Sequence, residues 1–358
     1  MLTSILPFLA ILIVLIVAHE LGHYFTAKLF GVKVLEAGIG YPPRIWGFTW
    51  RGTIYSINWI PLGGFVRLLG EEDPGDPQSL ATQPRWKRLV VLASGSGMNF
   101  VLPILLFAIA FMIPREVAVG PAFIDKVEPG SPAAEAGLQP GDAILKLNDE
   151  KVKNVQDVGR VIRLNLGETI TFTVERDVFG GGSEILTFPV HARWAPPSGQ
   201  GPTGIRVGNL YPQFTETESF PPWKAIPKGW TATLDSLILA RNQVISMFKG
   251  GSAPDVAGPV GIAQATGEVV EEAGWQVLLD FAALLSINLA IINILPLPML
   301  DGGRIAFVLL EILRGGKRVA PEKEALVHFI GLALIITLAV VITYLDVLRI
   351  IRGESLFR

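Results

Sequence analysis

Four stretches of about twenty apolar residues dominate this chain, each long enough to cross a hydrocarbon core of ~30 Å. They cover roughly residues 4–30, 89–113, 275–295 and 325–345. Wherever lipid surrounds such a chain, its backbone polar groups must be satisfied inside helices. The expected fold is therefore a polytopic α-helical membrane protein with about four transmembrane helices. Composition agrees, because only 17% of the 358 residues are charged, against about 25% in soluble proteins. A cleavable leader is the rival reading of the first stretch, but it has neither a basic start nor a small-residue cleavage site.

The net charge of −2 leaves no bulk basic surface, so nucleic acid is not an expected partner. There are no cysteines, which removes disulfides, thiolate catalysis and cysteine-held metals. Any metal site must draw on carboxylates and on four histidines, His19, His23, His191 and His328.

Between the spans the pattern changes. Residues 31–70 alternate, are rich in Val, Ile and aromatics, and are cut by Gly and Pro, which reads as short strands joined by turns. Such backbone does not survive facing lipid, so it must lie at an interface or line a cavity. The acidic run Glu71-Glu72-Asp73, with Asp76, reads as a solvated loop. Residues 118–195 read as a water-exposed α/β module inserted between spans two and three. Residues 196–250 read as a Pro-, Gly- and Trp-rich linker followed by an amphipathic helix over 231–250. The spans then fall within 1–113 and 251–358. Trp46, Trp50, Trp59, Trp86, Trp223 and Trp230 are expected at headgroup level.

Lys33, Arg44, Arg51, Arg67, Arg85, Lys87 and Arg88 lie between spans one and two. Arg304, Arg314, Lys317, Arg318 and Lys323 lie between spans three and four. By the positive-inside rule both segments are cytoplasmic and the inserted module lies outside. Arg349, Arg352 and Arg358 in the tail pull the other way.

The first span is interrupted by His19-Glu20-Leu21-Gly22-His23. Positions i and i+4 share a helical face, so both imidazoles can reach one ion, and the glutamate between them can act as a base. Ionisable groups inside a span are costly and mark function. His19 stands ~22 Å along the helix from Ser4, about a quarter of the core from the cytoplasmic face. A catalytic zinc needs a third protein ligand and one open position. Asp301, in Asn293-Ile-Leu-Pro-Leu-Pro-Met-Leu-Asp301-Gly-Gly, is the best candidate. Two prolines break the helix before it, and two glycines allow close approach behind it. His328 is the alternative; Asp301 as an ordinary helix N-cap is the bland reading.

These motifs resemble the site-2 protease family of intramembrane zinc metalloproteases. HELGH and NILPLPMLDGG carry the likeness in the first and third spans. LEAGIGYPPRIW and IPLGGFVRLLGEED resemble the family's membrane-associated β-hairpins. Gly95-Ser-Gly-Met-Asn99 stands where the family has Gly-Pro-x-x-Asn, with Ser96 in place of proline. AGPVGIA at 257–263 resembles the segment before the third span, and residues 120–193 look like a single PDZ domain. The resemblance implies Zn2+ held by His19, His23 and Asp301, Glu20 as catalytic base, and substrate-binding or supporting roles for Asn99 and Asn293. It also implies a bacterial inner-membrane enzyme with its active site near the cytoplasmic side and its PDZ-like domain extracytoplasmic. Its partners would be transmembrane protein substrates, trimmed beforehand by another protease, and membrane lipid. Regulated intramembrane proteolysis of an anti-sigma factor or a remnant signal peptide is the expected activity.

Two other classes compete. A catalytically inactive PDZ scaffold with a structural zinc site has no need of Glu20. A metal transporter would carry acidic or histidine residues in several spans, and spans two and four offer few.

Overall fold

A computed structural model of the chain describes residues 2–70, 75–177, 181–208, 214–251 and 257–354. Glu71, Glu72 and Asp73 lie outside the described residues. In chain order come α1 (Leu2–Leu29), β1 (Val34–Trp50), β2 (Thr53–Leu68) and α2 (Arg85–Met112). Then follow β3 (Arg115–Val119), β4 (Ala122–Val127), α3 (Pro132–Ala136), β5 (Ala143–Leu147), β6 (Glu150–Lys151) and α4 (Val155–Leu164). Next are β7 (Thr169–Asp177), β8 (Ser183–His191), β9 (Ile205–Gly208), β10 (Phe214–Glu218) and α5 (Pro222–Phe248). The chain continues with α6 (Pro259–Ala273), a short 3-10 turn (Trp275–Val277), α7 (Leu278–Ile294), α8 (Asp301–Leu313) and α9 (Pro321–Ile351).

Two compact units result. The first comprises Met1–Ala110, Pro222–Thr233 and Asp255–Arg358; the second comprises Phe111–Pro221 and Leu234–Pro254.

Among the described residues four helical segments are long and apolar enough to cross a membrane: Ile5–Leu29, Arg85–Met112, Trp275–Ile294 and Pro321–Ile351. Large apolar side chains such as Phe329, Leu334 and Val340 point outward from α9. So wide an apolar surface suits hydrocarbon and not water. α9 starts earlier than the expected 325, because Pro321 occupies its first turn, where a missing N–H costs nothing. α7 stops at Ile294 and Leu295 turns extended, so Pro296 and Pro298 fall in a loop, as their missing N–H groups require.

Residues 34–68 form two long strands instead of the short ones the pattern suggested. Their tip, Arg51-Gly52, has φ of 49° and 76°, the left-handed pair of a two-residue hairpin turn. The register shows why the sequence reads as shorter pieces. Gly38 pairs with Phe65 on one side and Ser56 on the other, while Phe48 pairs with Tyr55. The two strands thus bend back to give four paired segments, with 64–68 at one edge. Glu36 is buried in this sheet and receives Ser56 Oγ at 2.8 Å, Arg44 Nη2 at 2.6 Å and Arg67 Nη2 at 3.3 Å. Tyr24 and Tyr55 share a 2.6 Å hydroxyl hydrogen bond that ties the sheet to α1.

The second unit has an antiparallel sheet of order β8-β7-β5-β4-β9, with β6 beside β5. Its core includes Ile124, Ile144, Leu147, Phe172, Val174 and, from α4, Val158. Asp142 is buried and receives Arg176 Nε at 2.6 Å and Nη2 at 2.7 Å. The stretch 196–230, expected as linker, differs from that reading. It supplies β9 to the sheet edge and β10 as the partner of β3, and α5 begins at Pro222 and not near 231. Four-residue Ile-Arg-Val-Gly carries too little alternation to announce a strand, and its partner β4 lies some eighty residues back. Asn242 of α5 donates to the carbonyls of Arg163 and Leu164 at 2.9 and 3.0 Å, satisfying groups at the end of α4.

Candidate metal centre

One turn of α1 aligns His19 and His23, and their Nε2 atoms stand 3.2 Å apart. Two glycines let α2 come this close. A Cβ on Gly22 would lie 2.2 Å from the carbonyl oxygen of Ser94. A Cβ on Gly95 would lie 2.3 Å from His23 Nε2 and 2.6 Å from His19 Nε2. Even a methyl group at either position would push the helices or the rings apart. Ser96, which replaces the resembled proline, is fully buried in continuous helix.

Asp301 arrives from the far side. Leu300 precedes it as N-cap without a side-chain cap, and Asp301 is the first residue of α8. Gly302 and Gly303 press against the carbonyls of Leu295 and Leu297, where added Cβ atoms would lie 2.0 and 2.3 Å away. This tight return aims the carboxylate at the histidines instead of at the helix end. Asp301 Oδ2 lies 3.2 Å from His19 Nε2 and 3.3 Å from His23 Nε2. His328 is not part of this cluster. Its Nδ1 accepts the Met299 backbone N–H at 2.8 Å, which makes it a brace for the loop. His191 ends β8, exposed, in the second unit.

The outer ring nitrogens decide which face each histidine offers. His23 Nδ1 stands 2.8 Å from the Val91 carbonyl, so it must carry the proton, leaving Nε2 a free lone pair. His19 Nδ1 faces the side-chain amides of Asn99 and Asn293, at 3.3 and 3.4 Å. For Nε2 to face a metal, Nδ1 must donate, and an amide oxygen must accept. Asn99 Oδ1 is buried without a hydrogen bond, and a 180° amide turn brings it to that nitrogen.

The donor set fits zinc. The three atoms are 3.2, 3.2 and 3.3 Å apart, close to the ~3.3 Å edge of a tetrahedron with ~2.0 Å bonds. Asp301 Oδ2 is buried yet makes no hydrogen bond, as expected of an oxygen kept for a cation. Among the described residues this is the group of histidines and acids close enough to hold one ion. Glu20 lies next to His19 and reaches the edge segment of β2, where its Cγ would stand 3.7 Å from a Cβ on Gly64. It also lines a cavity of ≈ 290 Å³ with Val17, Tyr24, Trp46, Phe48 and Phe65.

The profile of Peptidase family M50 matches residues 7–338. The chain belongs to this family. It is 32% identical to an Agrobacterium fabrum protein named provisionally as a zinc metalloprotease, an alignment covering 97% of this chain and 96% of the relative. A Clostridium acetobutylicum protein of like name is 32% identical, with 93% and 94% covered. The zinc metalloprotease RasP of Oceanobacillus iheyensis is 29% identical, with 97% and 99% covered. The chain is thus a membrane-embedded zinc metalloprotease of the site-2 type. The Val91 carbonyl, the Met299 brace from His328 and the contact of Gly95 with both rings leave no side-chain signature at the motif itself.

Proposed function

We propose that this protease hydrolyses peptide bonds within or near the transmembrane segments of other membrane proteins. The observation that carries this reading is the convergence of His19, His23 and Asp301 on one point among apolar spans. In this reading those three residues hold the ion and Glu20 is the base. When bound, zinc supplies Lewis-acid polarisation of the scissile carbonyl and eases deprotonation of water. Glu20 takes the proton of the attacking water and returns it to the leaving amide nitrogen, so the C–N bond breaks without a free amide anion. Asn99 and Asn293 are supporting residues that hold the His19 ring.

A membrane helix hides its carbonyls, so the substrate must unwind and find new backbone partners. The 64–68 edge runs beside Glu20 and suits strand addition. The apolar, aromatic lining of the adjoining cavity suits the side chains of a transmembrane segment. The antiparallel sheet with two short helices supports a PDZ-like reading of the second unit. In the proposed orientation that unit is extracytoplasmic, the metal centre faces the cytoplasmic side of a bacterial inner membrane, and the hairpin region is membrane-associated. Anti-sigma factors and remnant signal peptides trimmed by another protease are the proposed substrate class.

The test is incubation of purified protein with tagged single-span substrates, trimmed and untrimmed, followed by mass mapping of the products. A cut inside the span supports the reading. Cuts confined to water-exposed tails would overturn it.

A further inference from the structure

A second charged cluster lies outside the metal centre, where α2 begins and α8 ends. Glu311 is buried, and three guanidiniums converge on it. Arg88 Nη1 stands at 2.6 Å, Arg85 Nε at 3.2 Å and Arg318 Nε at 3.3 Å. One carboxylate neutralises one arginine, so the group keeps a formal charge of +2. Arg88 is 10% exposed and belongs to the interior; Arg85 and Arg318 are 46% and 37% exposed.

The loop after α8 is shaped around these side chains. Gly316, at φ 96°, has Arg85 Nη2 2.3 Å from where a Cβ would stand. Arg318 also donates to the carbonyl of Ala81. Beside them opens a cavity of ≈ 450 Å³ lined by Gln83, Pro84, Arg85, Trp86, Glu311 and Arg318. Trp86 is exposed, and Lys87 lies over its ring at 5.8 Å. Arg314 and Lys317 are exposed on the same loop.

A clamp between α2 and α8 needs only the Arg88–Glu311 pair. Two further arginines add mutual repulsion unless an anion answers them. Glu311 holds both forks in place by their Nε edges, so the geometry for an oxyanion is set before it arrives. Arg85 is also the first residue of a membrane-crossing helix, the level at which lipid phosphates and interfacial tryptophans sit.

We propose that this cavity binds a phosphate group, presented by an anionic phospholipid of the surrounding leaflet. Arg85 and Arg318 hold the phosphate oxygens, Trp86 packs along the glycerol and upper chain, and Glu311 orients the two arginines. The site is independent of the peptidase chemistry and ties the α2–α8 junction to the bilayer surface.

The test uses the full chain in phosphatidylcholine nanodiscs containing spin-labelled phosphatidylglycerol, with the immobilised lipid fraction as readout. Arg85→Gln leaves Glu311 paired to Arg88 and Arg318, so the fold is kept; Arg318→Gln is the second variant. Each is expected to weaken phosphatidylglycerol retention about fivefold. Arg51→Gln, at the hairpin tip, removes the same charge elsewhere and is expected to leave retention unchanged. Equal loss in all three variants would mean diffuse surface attraction and overturn the site, as would no loss in the first two. A parallel arm titrates inorganic phosphate into protein in a zwitterionic detergent. Arg85-dependent uptake of phosphate without preference for phosphatidylglycerol would assign the cavity to a free anion and overturn the lipid proposal.

Discussion

The Nδ1 atom of His328 accepts the backbone N–H of Met299 at 2.8 Å, two residues before Asp301. Met299 holds φ at 76°, a left-handed conformation that a non-glycine residue keeps only when its surroundings insist. Gly331, one turn along α9, leaves room for Pro298 of the same loop. The last span therefore positions an acid that it does not carry. His328→Ala should loosen the loop and lower zinc affinity by about 10–100-fold, the usual cost of losing an outer partner. Competition with a chelator measures this. Unchanged affinity would show that Asp301 is held without the brace.

Two nearby glycines of α2 should behave oppositely. Gly95→Ala places a methyl group against both ring nitrogens and should abolish stoichiometric zinc binding. Nothing lies within 4 Å of a Cβ built on Gly97. Gly97→Ala should keep zinc and raise stability by up to about 1 kcal/mol, since alanine is the better helix former. Metal analysis and thermal unfolding in detergent check the pair.

Acid should act on the β region through Glu36. Burial alone would push its carboxyl up, but hydrogen bonds from Ser56 and Arg44 and the charges of Arg44 and Arg67 outweigh burial and hold it below the usual range. A carboxyl lowered in the folded state stabilises above its unfolded pKa, and that contribution fades as pH falls through the folded value. Glu36→Gln should cost about 1–3 kcal/mol at neutral pH. The difference between wild type and variant should shrink as pH falls from about 5 toward 3. A gap that stays constant across that range would contradict the assignment.

Much of this fold was legible because lipid leaves the chain few choices. The four spans, the break at Pro296 and Pro298, and the HExxH face of α1 all follow from local pattern. Asp301 could be singled out because a zinc motif lacked a third donor and a proline-broken helix end offered one. What escaped depends on partners distant in sequence. β9 is defined by β4, and the doubling back of residues 34–68 by its register. Val91 serves His23 through a backbone carbonyl, which no side chain announces. The role of His328 was hidden for a related reason, since a lone histidine in a span does not reveal whether it faces a metal or a backbone amide.

Wild type and Glu20→Gln, compared on the same preparations for bound zinc and for cleavage of a single-span substrate, test the base directly. One zinc per chain is expected in both proteins. Cleavage by wild type is expected to fall about 10²–10⁴-fold in the variant and to stop on chelation. Full cleavage by zinc-loaded Glu20→Gln would contradict the assignment of the base.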